Sequence, residues 1–251
     1  MEKSCRDCIV MAGGSTSAFI EKSVSAKPLL KINGRELISF VLQKLVEFDR
    51  IRRIIVVGDP AELAFLKDFY PIEIVAEKGD IMEKLIAGIS FLQPQKPVFV
   101  CSSDIPFITV QAMEDFLLKC QPETEDIYYP VVAKEIIEKC FSESKRTYIK
   151  TMDGIFSGGN IFLINSDKAV QFASLGRKFL SARKNPLKIA FLLGGNIVWR
   201  FIVGRITLNY VEEYVSRRFG FNGKIIVSPY PEIACDIDKE ADIALARRLL
   251  R

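Results

Sequence analysis

Four short apolar runs, alternating with segments of helical period, set the tightest limit on what this chain can fold into. Ile9 to Ala12 ends in Gly13-Gly14, and Arg53 to Val57 is stopped by Gly58-Asp59-Pro60. Ile72 to Val75 is the third run, and Val98 to Cys101 leads into Ser102-Ser103-Asp104. These runs lack polar alternation, as strands covered on both faces do. The spacing predicts helices over Leu37 to Phe48, Ala61 to Phe69, Ile81 to Leu92 and Val110 to Lys119. Strand–helix alternation predicts an α/β fold, a Rossmann-like, mostly parallel sheet flanked by helices. Ligands of such sheets bind outside the carboxyl ends of the strands, so Gly13, Gly14 and Asp104 are expected at one rim.

The second half is less regular. Asp126 to Val132, Thr147 to Lys150, Gly159 to Ile164 and Lys224 to Val227 are predicted strands. Asp167 to Arg183, Leu208 to Phe219 and Ala241 to Arg251 are predicted helices. Pro186 to Gly204 is strongly apolar and approaches the length of a membrane span. Lys188, Asn196, Arg200 and the Gly194-Gly195 break argue against a span, since a central charge costs at least about 2.5 kcal/mol. Two short helices joined at Gly194-Gly195 are expected instead. They would form part of a helical insertion at about 167–219 within a single domain over 1–251. Trp199 beside Arg200 predicts a homodimer surface or a lid over an acceptor pocket, and a membrane contact is not expected.

Composition narrows the chemistry. The chain is 49% hydrophobic and 26% charged, an ordinary globular balance. A net charge of +4 is too small to mark a dedicated nucleic-acid binder, and no nucleic-acid partner is expected. The absence of histidine excludes a Ser-His-Asp triad and imidazole-based zinc sites. Carboxylates, lysines, backbone amides, hydroxyls and thiols remain. Of the six cysteines only Cys5 and Cys8 have redox spacing, and Cys8 opens a predicted strand rather than a helix. The charged start of the chain fits no signal peptide, so a cytoplasmic protein with reduced thiols is expected.

Three segments carry candidate chemistry. Ala12-Gly13-Gly14-Ser15 opens a strand into a glycine loop whose amides can approach phosphate, although its spacing is neither a P-loop nor a Rossmann fingerprint. Lys27 follows in the same loop and is suited to neutralise phosphate charge. Asp104, at the end of a predicted central strand, is placed either to hold Mg²⁺ with nucleotide phosphates or to cap a turn. Asp236-Ile237-Asp238, followed by Asp242, offers either a partner carboxylate or a capping cluster for the last helix.

Taken in order, the glycine loop, Lys27-Pro28-Leu29-Leu30-Lys31-Ile32-Asn33-Gly34-Arg35, Ser103-Asp104-Ile105-Pro106 and Asp236-Ile237-Asp238 carry a specific resemblance. Together they resemble the nucleotidyltransferase family that includes molybdenum-cofactor guanylyltransferase and related sugar- and alcohol-phosphate nucleotidyltransferases. Arg146-Thr147-Tyr148 and Phe156-Ser157-Gly158-Gly159-Asn160 are similar to uncharacterised branches of it. The resemblance covers most of residues 8–175 and 220–251. It implies a glycosyltransferase-A-like domain that uses Mg²⁺ to transfer a nucleoside monophosphate from a nucleoside triphosphate to a phosphorylated small-molecule acceptor, releasing pyrophosphate. It implies nucleotide contacts at Ala12, Gly13, Gly14, Ser15 and Lys27, and at Gly79 and Asp80 beside the base. Lys27 and Asp104 would be catalytic and Asp104 and Asp238 the metal ligands, with Asp236 less well placed and Asp242 capping the last helix. Gly159 and Asn160 would border the acceptor. One departure stands out: no arginine lies between Gly14 and Lys27, where the family carries a triphosphate clamp, and Lys22 is the only other cation. That loss opens an alternative, a catalytically silent nucleotide-binding or regulatory protein.

Overall fold

The computed structural model describes residues 5–13, 26–144, 146–182, 188, 191–192 and 194–250. From the amino end, β1 (Arg6–Met11) runs to the glycine loop. A 3-10 turn (Lys27–Leu29) and a small hairpin, β2 (Lys31–Ile32) and β3 (Arg35–Glu36), lead into α1 (Leu37–Glu47). Then come β4 (Ile51–Gly58), α2 (Pro60–Leu63), β5 (Ile72–Ala76), α3 (Ile81–Leu92), β6 (Val98–Ser102) and α4 (Val110–Lys119). The four longer strands are parallel, in the order β5-β4-β1-β6. Side chains alternate across β1. Cys8 and Val10 pack with Val41, Leu42 and Phe116 of α1 and α4, whereas Ile9 and Met11 pack with Leu85 and Leu92 of α3. Both faces are thus dry at β1 and β6, which is why these central strands carry no polar alternation, whereas the edge strand β5 exposes Glu73.

Past α4 the chain continues through β7 (Ile127–Ala133), α5 (Lys134–Cys140), β8 (Ile149–Thr151), β9 (Gly154–Gly158) and β10 (Ile161–Ile164). It then forms α6 (Ala169–Ala182), α7 (Gly195–Ile202), α8 (Leu208–Phe219), β11 (Gly223–Ser228) and α9 (Glu240–Leu249). The sheet is mixed here, which corrects the expectation of a mostly parallel one. β10 runs antiparallel to both β6 and β7, and β9 antiparallel to β7 and β8, while β11 returns parallel to β7. For β8 and β9 the cause is connection length. Only Met152 and Asp153 separate β8 from β9, and a parallel pairing needs a crossover of a dozen residues or more.

The expected strand from Gly159 starts instead at Ile161. Gly159 and Asn160 form a step at which the chain leaves the far end of β7 and inserts between β6 and β7. A Cβ on Gly159 would lie 2.5 Å from Ile233 Cγ2 and 2.8 Å from Pro130 Cγ, so only glycine passes. The expected helix over Ala61 to Phe69 divides into α2 and a 3-10 segment, Ala64–Asp68. Within the insertion, α6, α7 and α8 are helical as expected, and Gly194, at φ 88°, opens α7. The helix expected before it lies mostly outside the described residues. No helix among those residues is long and apolar enough to cross a membrane.

Candidate active site

A cavity of about 690 Å³ opens at the carboxyl ends of β1, β4 and β6, a volume in the range of small-molecule sites. Of the expected nucleotide and metal residues, Ala12, Gly13, Lys27, Gly79, Asp80, Asp104 and Asp238 all line it. Gly14 and Ser15 lie outside the described residues. Three separate stretches of chain meet here, and packing brings them together. Leu30, Ile32 and Leu37 form one apolar cluster with Ile237, Ile243 and Ala246. This draws the loop carrying Lys27 against the segment carrying Asp238. The Ile237 amide then donates to the Asp104 carbonyl at 2.9 Å, fixing the third stretch.

At the junction, Asp104, Asp236 and Asp238 each direct a carboxylate oxygen to within 4.8 Å of the others. Asp236, read from the sequence as less well placed, therefore belongs to the cluster. The Lys27 ammonium lies between Asp104 and Asp238 and bonds to both, and its side chain is 9% exposed. Burial works against its charge, but the two carboxylates raise its pKa above the usual lysine value. Burial and the Asp104 charge push the Asp236 carboxyl up to about 7, against the pull of Arg146. Asp238 moves down: burial opposes this, but bonds from Lys27 and Asp236 favour its charged form. Ser102 Oγ donates to Asp104, orienting its other oxygen.

Asp242 does what was expected of it. It accepts from the Asp238 amide at 3.1 Å and the Lys239 amide at 2.9 Å, capping α9. It is buried, and Ser144 and Arg146 donate to it as well. Arg146 also pairs with Asp236 and donates to its carbonyl at 2.6 Å. This arginine is thus the clamp that holds the carboxylate segment in place, a role sequence spacing did not reveal because its partners lie about ninety residues away.

Asp80 lines the cavity, but its carboxylate is occupied as a helix cap. It accepts from the Met82 and Glu83 amides at 2.8 and 2.9 Å, while Glu83 accepts from the Asp80 amide, a capping box at the start of α3. Gly159 and Asn160 are not among the cavity residues. The Gly159 amide donates to Pro130 and the Asn160 amide to Ile233, both at 2.9 Å, building the strand step. Lys84 was missed. From the first turn of α3 it reaches back to the glycine loop and donates to the Ala12 carbonyl at 2.9 Å. A Cβ on Gly13 would collide with its ammonium. Burial lowers its pKa. Its only sequence signal was a lysine one turn past a helix cap. The cavity lining carries six acidic side chains, Asp59, Glu62, Glu77, Asp80, Asp104 and Asp238, against three lysines, Lys27, Lys78 and Lys84. Cys8, by contrast, is a buried thiol pushed well up by burial, which leaves no reactive pair with Cys5.

A mixed α/β sheet with a polar cavity at its strand ends and helices on both faces is a Rossmann-like arrangement, and comparison with known proteins gives its class, a nucleotidyltransferase fold. Residues 8–167 match the model of the MobA-like NTP transferase domain. The chain belongs to that family. It is similar to the structure of a hypothetical transferase from Thermus thermophilus, with 30% identity and a TM-score of 0.83 over 95% of this chain and 99% of that one. The fold is shared with 4-diphosphocytidyl-2C-methyl-D-erythritol synthase from Anaerococcus prevotii, at 13% identity and a TM-score of 0.61, over 99% of this chain and 97% of that one. It is shared also with CMP:2-keto-3-deoxy-manno-octonic acid synthetase in complex with CTP, at 12% identity and a TM-score of 0.62 over 98% of each chain. No curated protein sequence matches the chain.

Proposed function

We propose that this protein transfers a nucleoside monophosphate from a nucleoside triphosphate to a phosphorylated small molecule, with release of pyrophosphate, on a glycosyltransferase-A-like scaffold. The observation that carries the reading is the charge of the cavity. Six carboxylates and three ammoniums line it, a surface that repels a triphosphate unless a cation enters with it. Three of the chain's carboxylates, Asp104, Asp236 and Asp238, supply hard oxygen donors close enough to share one ion, the donor set Mg²⁺ prefers. Bound there, Mg²⁺ would neutralise charge developing on the phosphate oxygens.

The residues of the chain supply the rest. As nucleotide binds, Lys27 exchanges its carboxylate partners for phosphate oxygens of the departing pyrophosphate. Lys84, lodged against Gly13, provides a second cation on the phosphate side. It stands in for the arginine that the loop lacks, which is the argument against a silent binding protein. A preorganised cation near the leaving group is worth more in a water-poor site than in solution. An acceptor phosphate oxygen forms the new bond to the α-phosphorus as the bond to pyrophosphate breaks. That oxygen is already ionised, so no general base is required, in keeping with a chain that has no histidine.

The test is a thermal-shift panel of the four ribonucleoside triphosphates with and without Mg²⁺, followed by a pyrophosphate-release screen over phosphorylated acceptors. One triphosphate is expected to stabilise the protein only with Mg²⁺, and an acceptor that then releases pyrophosphate completes the case. Mg²⁺-dependent nucleotide binding without pyrophosphate release from any acceptor would favour the silent binding protein. No Mg²⁺-dependent stabilisation by any triphosphate refutes the reading.

A further inference from the structure

The insertion carries an apolar face turned the wrong way for a soluble helix. On α7, Ile197 points inward and is buried, while Arg200 lies over the Tyr210 ring of α8 at 4.7 Å. The helix is thus seated on α8 by one side. On the other, Trp199, Ile202 and Val203 follow one another at i, i+3 and i+4, the spacing of a single stripe. Trp199 is 63% and Ile202 72% exposed. Phe191, just ahead of the helix, is 85% exposed. A surface helix ordinarily turns such a stripe to the core.

The charge around the stripe identifies what it meets. From Lys168 to Val211 the sequence carries eight basic residues and no acidic one. The whole chain is only +4, so the remainder is net acidic and the positive charge is concentrated on this insertion. We propose that the outward face of α7, with its basic surroundings, docks on an anionic lipid bilayer. Tryptophan and aliphatic side chains would enter the headgroup boundary while lysines and arginines meet lipid phosphates. The helix lies on the membrane rather than in it, since nothing among the described residues is long enough to cross. A second copy of the chain fits the same face poorly. A two-fold contact sets a patch against itself, and here it would bring the exposed Arg200 and Arg205 toward their own copies.

Trp199 is the chain's only tryptophan, so its fluorescence reports on this face directly, without reference to nucleotide or turnover. Purified protein is titrated with vesicles of phosphatidylcholine, alone or with phosphatidylglycerol. The expected result is a blue shift and shielding from a soluble quencher with the anionic vesicles only, weakened by added salt. Ile202→Asp should lower partitioning at least about tenfold, and Arg205→Glu about fivefold or more per basic charge removed. Both positions are exposed, and unchanged melting curves would show that the variants remain folded. Two results overturn the proposal. One is a Trp199 spectrum indifferent to anionic vesicles. The other is a concentration-dependent shift without lipid, accompanied by a doubled mass in sedimentation that Ile202→Asp abolishes, which would assign the face to a second copy.

Discussion

Replacing Lys27 by methionine tests the centre of the site. The substitution keeps an unbranched apolar stem out to the ε position and removes the ammonium. Asp104 and Asp238 then face each other with oxygens no more than 4.8 Å apart. At an effective dielectric near 20, two such charges repel by about 3.5 kcal/mol. The Asp238 side chain is 58% exposed, so solvent screening cuts this to about 2 kcal/mol. For a chain of this size, that lowers the melting temperature by roughly 4–8 °C in the presence of a chelator. The same substitution clears the gap for a divalent cation, because Mg²⁺ no longer competes with a tethered ammonium. The ~2 kcal/mol that destabilised the free protein reappears as about thirtyfold tighter binding of Mg²⁺ alone. Melting curves in chelator and over a Mg²⁺ series read both quantities at fixed pH. Curves that coincide with wild type in chelator, together with an unchanged Mg²⁺ titration, would refute the placement of Lys27 between the carboxylates.

Three further substitutions probe the surrounding parts. Asp104→Asn should abolish most Mg²⁺-dependent nucleotide binding and slow pyrophosphate release roughly a hundredfold, about 2.7 kcal/mol, while the fold survives; isothermal titration and a turnover assay measure the two effects. Lys84→Ala should weaken triphosphate binding about tenfold and monophosphate binding little, as expected of one charge-assisted contact to the outer phosphates; equal losses for both ligands would remove Lys84 from the phosphate side. Asp242→Ala should cost about 3 kcal/mol or more in urea denaturation, because it strips the cap from α9 and leaves buried Arg146 short of a partner.

Where periodicity and punctuation coincide, the sequence was enough. α3, α4 and α8 begin and end where the spacing predicts, because Asp80, Thr109 and Thr207 cap them through their side chains. β9 and α5 escaped notice for a physical reason. β9 is short and only partly buried, so it carries little hydrophobic pattern, and α5 is a seven-residue helix with Ile137 as its buried anchor. The mixed direction of the sheet was hidden because β10 is as apolar as a parallel strand, being flanked on both edges. In the candidate site, the meeting of Lys27, Asp104 and Asp238 in one cavity was legible from motif order. Asp236, Arg146 and Lys84 were not. Their roles depend on which distant segments meet, and local spacing carries no record of that.

The route by which the site closes has a consequence for how the chain is made. Lys27 and Asp238 are 211 residues apart, and a ribosome adds roughly 5–20 residues per second, so roughly 10–40 s separate their synthesis. During most of that interval Lys27 and Asp104 can face each other one to one, a neutral couple with no surplus charge to attract an ion. Only when the final stretch threads back along β7 and the Ile237 amide reaches Asp104 do the carboxylates around Lys27 outnumber it. The proposed cation site is therefore absent from a nascent chain, and it arises in the same event that brings the last carboxylates into place.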